Sequence, residues 1–144
     1  MSYLPHAAPV PDPEPWEAGF WRLCAEHRLC FQRCTACGHV RHPPLPCCPR
    51  CRCFESGWIE ATDDAELYTY TIVHHALHPS LRDAVPYNAV VVAFPALAWI
   101  RLVSNIINCP PEQLRIGMPL RVCWDVAGNG RILPRFEPKP RLRS

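Results

Sequence analysis

The sequence predicts a mainly β protein with an N-terminal helix, a small metal-held cysteine segment and a compact barrel of about five strands. Three observations predict it. Residues 16–27 repeat large apolar side chains at helical spacing, residues 30–56 hold two Cys-x-x-Cys pairs among prolines, and the chain after Gly57 alternates β-branched and aromatic runs with turn residues. With 144 residues, 49% of them hydrophobic, the chain can bury one modest core or two very small ones. That fits one domain plus an appendage and excludes a second full-sized domain.

Residues 1–15 contain five prolines and little that packs, so an extended arm is expected, mobile unless it has something to lie against. From Trp16 to about His27 the pattern turns helical, with Pro15 where a first turn tolerates proline. Trp16, Phe20, Leu23 and His27 share one face, whereas Trp21 and Ala25 fall on another. A helix with aromatics on two faces needs two surfaces to bury them. Either both lie within this chain or one belongs to another protein, which makes Trp16, Phe20 and Trp21 the candidate partner contacts. Arm and helix together occupy residues 1–29.

Residues 30–56 show no periodicity and are broken by Pro43, Pro44, Pro46 and Pro49. A pair of metal-held loops reads this way, with its structure coming from something other than a core. Over residues 57–138 the strand candidates are Leu67–His74, Tyr87–Phe94, Leu97–Val103 after Pro95, Leu120–Val126 after Pro119, and Arg131–Phe136 after the turn Gly128-Asn129-Gly130. Five strands favour a small closed barrel over a sandwich. A short helical turn at Glu112–Leu114 falls between the third and fourth strands, where OB-folds commonly carry a helix. Residues 139–144 form a basic tail.

Fourteen arginines and one lysine oppose thirteen scattered acids, for a formal charge of +2, so no sign dominates the surface. Only the end of the chain, with Arg131, Arg135, Lys139, Arg141 and Arg143, is locally basic. No stretch approaches the roughly 20 apolar residues of a membrane span, and prolines and acids stand where a signal peptide would carry basic and apolar segments. A cytoplasmic protein is expected. In a reducing compartment ten cysteines point to metal binding rather than to disulfides.

The strongest chemical signal is Cys34-Thr35-Ala36-Cys37-Gly38, then a proline-rich loop, then Cys48-Pro49-Arg50-Cys51. Each pair suits a tight knuckle whose backbone N–H groups bond the thiolates, and two knuckles supply a closed tetrahedral site, which is structural rather than catalytic. Gly38 permits positive φ just after the second ligand, whereas the second knuckle has Arg52 there. Cys47 and Cys53 crowd the second pair and leave Cys47/Cys51 or Cys51/Cys53 conceivable, with the two-residue spacing favouring Cys48 and Cys51. Zinc is expected, with disulfides and a rubredoxin-type iron centre as alternatives. Zinc would supply on the order of 10 kcal/mol of the segment's folding free energy. Cys24, Cys30, Cys109 and Cys123 are expected to be buried small hydrophobes.

Several runs occur together: Phe20-Trp21, Gln32-Arg33-Cys34-Thr35-Ala36-Cys37-Gly38 with Pro43-Pro44 and Cys48-Pro49-Arg50-Cys51, and Leu67-Tyr68-Thr69-Tyr70-Thr71. Later come His78-Pro79, Val85-Pro86-Tyr87, Leu114 to Pro119 and Leu133 to Pro138. In this order they resemble the family that joins a rubredoxin-like zinc ribbon to an OB-fold, a domain of unknown function found beside thiolases. The resemblance covers Trp16 to Pro138. It departs from the family at Asp63-Asp64-Ala65-Glu66, where relatives often carry a glycine-bearing turn, and at Phe94-Pro95-Ala96-Leu97, which replaces an acidic turn. Loops at a barrel's rim are where ligands are read, so these changes bear on substrate identity more than on fold.

The resemblance implies a non-catalytic, zinc-binding accessory subunit, one zinc per chain, docked on a thiolase-fold enzyme that acts on acyl-CoA. Known settings are acyl transfer, condensation and retro-aldol cleavage of sterol side chains, sometimes with the subunit helping to enclose the CoA thioester. Because thiolase-fold enzymes are typically dimers, the expected assembly is a two-plus-two heterotetramer.

Guanidinium groups suit phosphate recognition, so Arg82 and Arg101, then Arg115 and Arg121, are the candidate CoA contacts. Ordinary solvated or salt-bridged arginines are the plain alternative. His74, His75 and His78 invite a second metal or acid–base site, yet on a strand His74 and His75 point to opposite faces. The rival reading is a single-stranded nucleic-acid binder using Tyr68, Tyr70 and Tyr87 for stacking. It lacks the concentrated positive charge such grooves need, since the first long strand begins in acids. A thiol enzyme built on Cys109 has no base paired with it.

Overall fold

The computed structural model describes residues 2–61 and 64–141. Asp63 of the acidic turn and Arg143 of the basic tail therefore lie outside the described residues.

Pro15–Glu17 form a single 3-10 turn that runs into helix α1, Ala18–Ala25. The Glu17 carboxylate accepts the Glu14 N–H at 2.8 Å, satisfying one of the donors a helix start leaves unpaired. The helix stops at His27, whose φ of 57° is left-handed. There the His27 N–H bonds the Cys24 carbonyl and the Arg28 N–H bonds the Leu23 carbonyl, both at 2.9 Å, the pair of bonds of a Schellman ending. The helix buries Phe20, Leu23 and Cys24.

The cysteine segment forms a three-stranded antiparallel sheet of β1 (Cys30–Cys34), β2 (Val40–Arg41) and β3 (Ser56–Glu60), in the order β2-β1-β3. β3 pairs with β1 from Cys30↔Glu60 to Cys34↔Ser56, so residues 57–60 lie on the ribbon sheet rather than in the barrel. Five strands follow: β4 (Ala65–Val73), β5 (Tyr87–Phe94), β6 (Ile100–Ser104), β7 (Pro119–Val126) and β8 (Ile132–Pro138), in the order β6-β5-β4-β7-β8. The sheet curls until its two edges meet. There the Phe136 N–H donates to the Asn105 carbonyl at 3.1 Å, and the Ile107 N–H to the Phe136 carbonyl at 2.8 Å. This is the curled five-stranded sheet of an OB-fold, with a 3-10 turn at Pro111–Gln113 between its third and fourth strands.

Two expectations need correction. The third barrel strand starts at Ile100, not Leu97, because Pro95–Leu97 form a 3-10 turn and Ala98 and Trp99 are both left-handed, with φ of 54° and 59°. Residues 30–56 also feed the core, which their loops alone do not suggest. Phe31 of β1 is fully buried and packs 4.9 Å from Phe94, which in turn lies 6.1 Å from Phe136. Ribbon, helix and barrel thus share one hydrophobic cluster. The arm, whose order was expected to depend on something to lie against, has such a surface on the barrel. The Tyr3 N–H donates to Asp125 at 3.1 Å, the Tyr3 hydroxyl accepts the Asn88 N–H at 3.2 Å, and Arg131 donates to the Pro11 carbonyl at 2.6 Å.

Candidate metal centre

The two knuckles share one backbone pattern, which follows from the Cys-x-x-Cys spacing. In the first, the Cys34 carbonyl accepts the Gly38 N–H at 3.0 Å and the Cys34 N–H donates to the His39 carbonyl at 2.9 Å. In the second, the Cys48 carbonyl accepts the Arg52 N–H and the Cys48 N–H donates to the Cys53 carbonyl, both at 2.8 Å. Each hairpin brings its two thiols to one side, and β1, with Cys34 at its end, presents the first knuckle to the second.

The four sulfurs of Cys34, Cys37, Cys48 and Cys51 all lie within 4.8 Å of one another. Cys34 Sγ is 3.5 Å from Cys51 Sγ, and Cys37 Sγ is 3.6 Å from Cys48 Sγ. A tetrahedron with zinc–sulfur bonds of about 2.3 Å has edges of about 3.8 Å, so the donor set fits zinc. None of the ten cysteines is in a disulfide.

The electrostatics favour thiolates on the first cysteine of each knuckle. The backbone N–H of Cys37, opposed by some burial and helped by that of Ala36, brings the Cys34 thiol down to about 6. Burial pushes Cys48 up, but the N–H groups of Cys51 and Arg50 outweigh it and lower its pKa. At Cys51 the Cys53 N–H pulls downward, yet the thiol partners Cys34, Cys37 and Cys48, together with desolvation, push the group up to about 12. Four thiols this close thus retain a proton that a divalent cation replaces. Four sulfur donors leave no open coordination position, so the site is structural.

Among the described residues this is the one grouping of three or more ligating side chains. Cys47 and Cys53 stay outside it, and the Cys53 sulfur bonds the Glu55 backbone instead, accepting its N–H at 3.4 Å. His74, His75 and His78 are exposed and do not converge on a metal site. His78 Nδ1 is held by the Ser80 hydroxyl at 2.7 Å. Cys24 and Cys30 are buried, as expected, but Cys109, in the loop after β6, and Cys123, on β7, are only half-buried.

The candidate CoA contacts are spread over the barrel. Arg115 bonds the Glu112 and Leu114 carbonyls at 2.7 and 2.8 Å, and Arg121 pairs with Glu137 at 2.7 Å. Arg101 lies 4.0 Å above the Tyr68 ring, and Arg82 is exposed with no ion pair among the described residues. Of the candidate partner contacts, Phe20 is a core residue, Trp21 lies edge-on to it at 5.0 Å, and Trp16 is 41% exposed.

One residue that the sequence shows only as part of a motif run has a structural role. Gln32, buried on β1, accepts the Arg41 guanidinium and the Leu45 N–H, both at 2.7 Å, and donates to the Ser56 hydroxyl at 3.1 Å. It ties three ribbon segments together around a buried cation, and only the fold reveals these partners.

Comparison with known proteins agrees with this architecture. Residues 21–54 match the family model described as the ChsH2 rubredoxin-like zinc ribbon domain, and residues 58–125 match that of the ChsH2 C-terminal OB-fold domain. A probable enoyl-CoA hydratase alpha subunit of Thermomonospora curvata is 39% identical over 120 residues, which is 83% of this chain but 36% of that relative's length. A DUF35 domain-containing scaffold protein of Methanocaldococcus jannaschii is 35% identical over 107 residues, 72% of this chain and 73% of its own. Among solved structures, the Ltp2-ChsH2(DUF35) aldolase superposes with a TM-score of 0.80 at 35% identity, over 90% of this chain and 98% of that one. A DUF35-family protein of unknown function from Sulfolobus solfataricus shares the fold, with a TM-score of 0.60 at 15% identity over 87% of this chain and 86% of that one. No described helix is long and apolar enough to cross a membrane. The chain belongs to the DUF35/ChsH2 family, a zinc ribbon joined to an OB-fold.

Proposed function

We propose that this chain is a non-catalytic accessory subunit that docks on a thiolase-fold enzyme acting on acyl-CoA and supports its stability or activity. The observation that carries this reading is the likeness to the Ltp2-ChsH2(DUF35) aldolase, at 35% identity over 98% of that chain. The chemistry of the chain points the same way, since its one metal-ligand cluster among the described residues is closed and offers no reaction centre.

In this reading Cys34, Cys37, Cys48 and Cys51 hold one structural zinc and fix the ribbon. Trp16, with Trp21 beside it, contributes to the docking face, and Arg82 and Arg101 reach toward CoA phosphates. The partner reaction is thiolase-type condensation, acyl transfer or retro-aldol cleavage of the sterol side-chain type. The assembly is two-plus-two and cytoplasmic.

The test is co-expression with a thiolase-like protein encoded beside it, followed by size-exclusion chromatography, zinc analysis and an acyl-CoA cleavage or condensation assay with and without this chain. Co-elution, about one zinc per chain, and activity that falls when this chain is omitted are the expected results. A monodisperse chain that ignores the thiolase refutes the reading.

A further inference from the structure

The N-terminal arm bridges the end of the barrel and leaves a cavity of about 350 Å³ beneath it. Its walls are apolar on both sides: Leu4, Pro9 and Val10 from the arm, Trp21 from α1, and Ala127 and Leu133 from the β7–β8 hairpin. A volume of this size falls in the range of small-molecule sites.

The seat of the arm is built into the barrel. Asp125, 8% exposed, accepts the Tyr3 N–H at 3.1 Å and the Ser2 hydroxyl at 3.3 Å. At the hairpin, a Cβ on Gly128 would overlap the His6 carbonyl, so the arm can seat only because residue 128 has no side chain. The strap and the barrel are therefore matched at atomic contact.

The charges of the described lining offset one another. Arg131 donates to the Pro11 carbonyl at 2.6 Å and lies 5.0 Å over the Trp21 ring, and Arg135 pairs with Asp125 at 3.3 Å. The remaining charged groups of the lining are carboxylates, Asp12 and Glu17, and Glu17 is bonded to the Glu14 N–H. Two guanidinium groups are matched by two carboxylates, with Asp125 beside them, so the described lining carries no net positive charge to repay the desolvation of an anion and its carboxylates are already offset against a cation. The occupant that fits is uncharged. At roughly 30 Å³ per methylene, about the share of one water molecule, the cavity of about 350 Å³ holds about a dozen carbon atoms.

We propose that this cavity is a binding site for an uncharged aliphatic or alicyclic group of about a dozen carbon atoms, closed by the N-terminal arm as a lid. The site is independent of the proposed docking on a thiolase-fold partner.

The test uses the zinc-loaded full chain and the environment-sensitive fluorophore 1-naphthylamine, neutral at pH 8 and within the size limit, with 1-decanol and decanoate at pH 8 as competitors. The expected result is saturable fluorescence enhancement, displaced by decanol and not by decanoate. Leu133→Glu, which puts a charge in the wall, and Gly128→Val, which unseats the arm, should each weaken binding at least ten-fold while zinc content and circular dichroism hold. Val103→Glu, in a separate cleft that His42, Pro43 and Leu102 line, should leave binding unchanged. The proposal is overturned by no saturable enhancement in the native chain, by decanoate competing as well as decanol, by native binding in Gly128→Val, or by lost binding in Val103→Glu.

Discussion

Gly38 and Arg52 stand at the same step of the two metal knuckles, each just after the second cysteine of its pair, and both hold a positive φ, 76° and 65°. Each donates its N–H back to the first cysteine's carbonyl, so the backbone requires the left-handed turn whatever the residue. An L side chain there costs about 1–2 kcal/mol, and glycine avoids most of that cost at some loss of unfolded-state constraint.

The asymmetry makes a prediction of opposite signs. Arg52→Gly should stabilise the zinc-loaded chain by about 1 kcal/mol and Gly38→Ala should destabilise it by about as much. Denaturant unfolding with zinc present measures both. An Arg52→Gly chain no more stable than the native one would mean that the arginine makes contacts worth as much as the strain.

Cys47 and Cys53 flank the second knuckle but lie outside the four-sulfur cluster. Cys47→Ser and Cys53→Ser should each retain about one zinc per chain, whereas Cys48→Ser or Cys51→Ser should lose tight binding, because a closed site needs all four thiolates. Zinc quantification after dialysis against a mild chelator reads the difference. Zinc loss in Cys53→Ser alone would move the ligand set by one position.

How much of this was legible in the sequence depends on how local each feature is. The knuckles were, because Cys-x-x-Cys spacing fixes a hairpin within five residues, and the barrel strands were, because β-branched and aromatic runs end at prolines and glycines. The Ile100 start of β6 was missed because left-handed Ala98 and Trp99 carry no glycine or asparagine to signal them. Where the arm docks was not legible for a different reason. Its anchors, Asp125, Asn88 and Arg131, lie 85 to 123 residues away from their arm partners, and proline content alone says only that the segment is extended. Likewise nothing around Phe31 distinguishes a strand that enters the barrel core from one that merely holds the metal loops.

His42 offers a pH test. Its ring packs between Phe20 and Phe31 at 5.1 and 5.4 Å, and its Nδ1 is buried without a partner. Glu17, Arg101 and Arg135 line the same cleft, and Arg41 is its chain neighbour. Burial, opposed only by the Glu17 carboxylate, lowers its pKa to about 4. The unfolded chain, titrating near 6.5, takes up the proton first, so this contribution to stability is fully present above about pH 6.5 and is lost as pH falls toward 4. The shift corresponds to up to roughly 3 kcal/mol. His42→Leu should flatten the stability profile between these values, measured as the difference from the native chain so that protonation of the cysteines cancels. Parallel profiles for the two chains would refute the assignment.

Phe20 and Trp16 sit four residues apart at the start of the helix but answer different questions. Phe20 is 3% exposed and belongs to the shared core, touching Trp21 and His42. Phe20→Ala should therefore cost about 3–5 kcal/mol in the isolated chain, through lost burial and the cavity left behind. Trp16 is 41% exposed in the 3-10 turn, and replacing it removes little from the core. Trp16→Glu should change isolated stability by less than about 0.5 kcal/mol while weakening co-elution with a thiolase-fold partner, since a buried charge at an interface is costly. Thermal unfolding of the isolated chain and size-exclusion of the mixture separate the two effects. If Trp16→Glu assembles like the native chain, docking uses another face, and the exposed side chains of Trp99 and Val103, at 52% and 75% exposure, become the next positions to change.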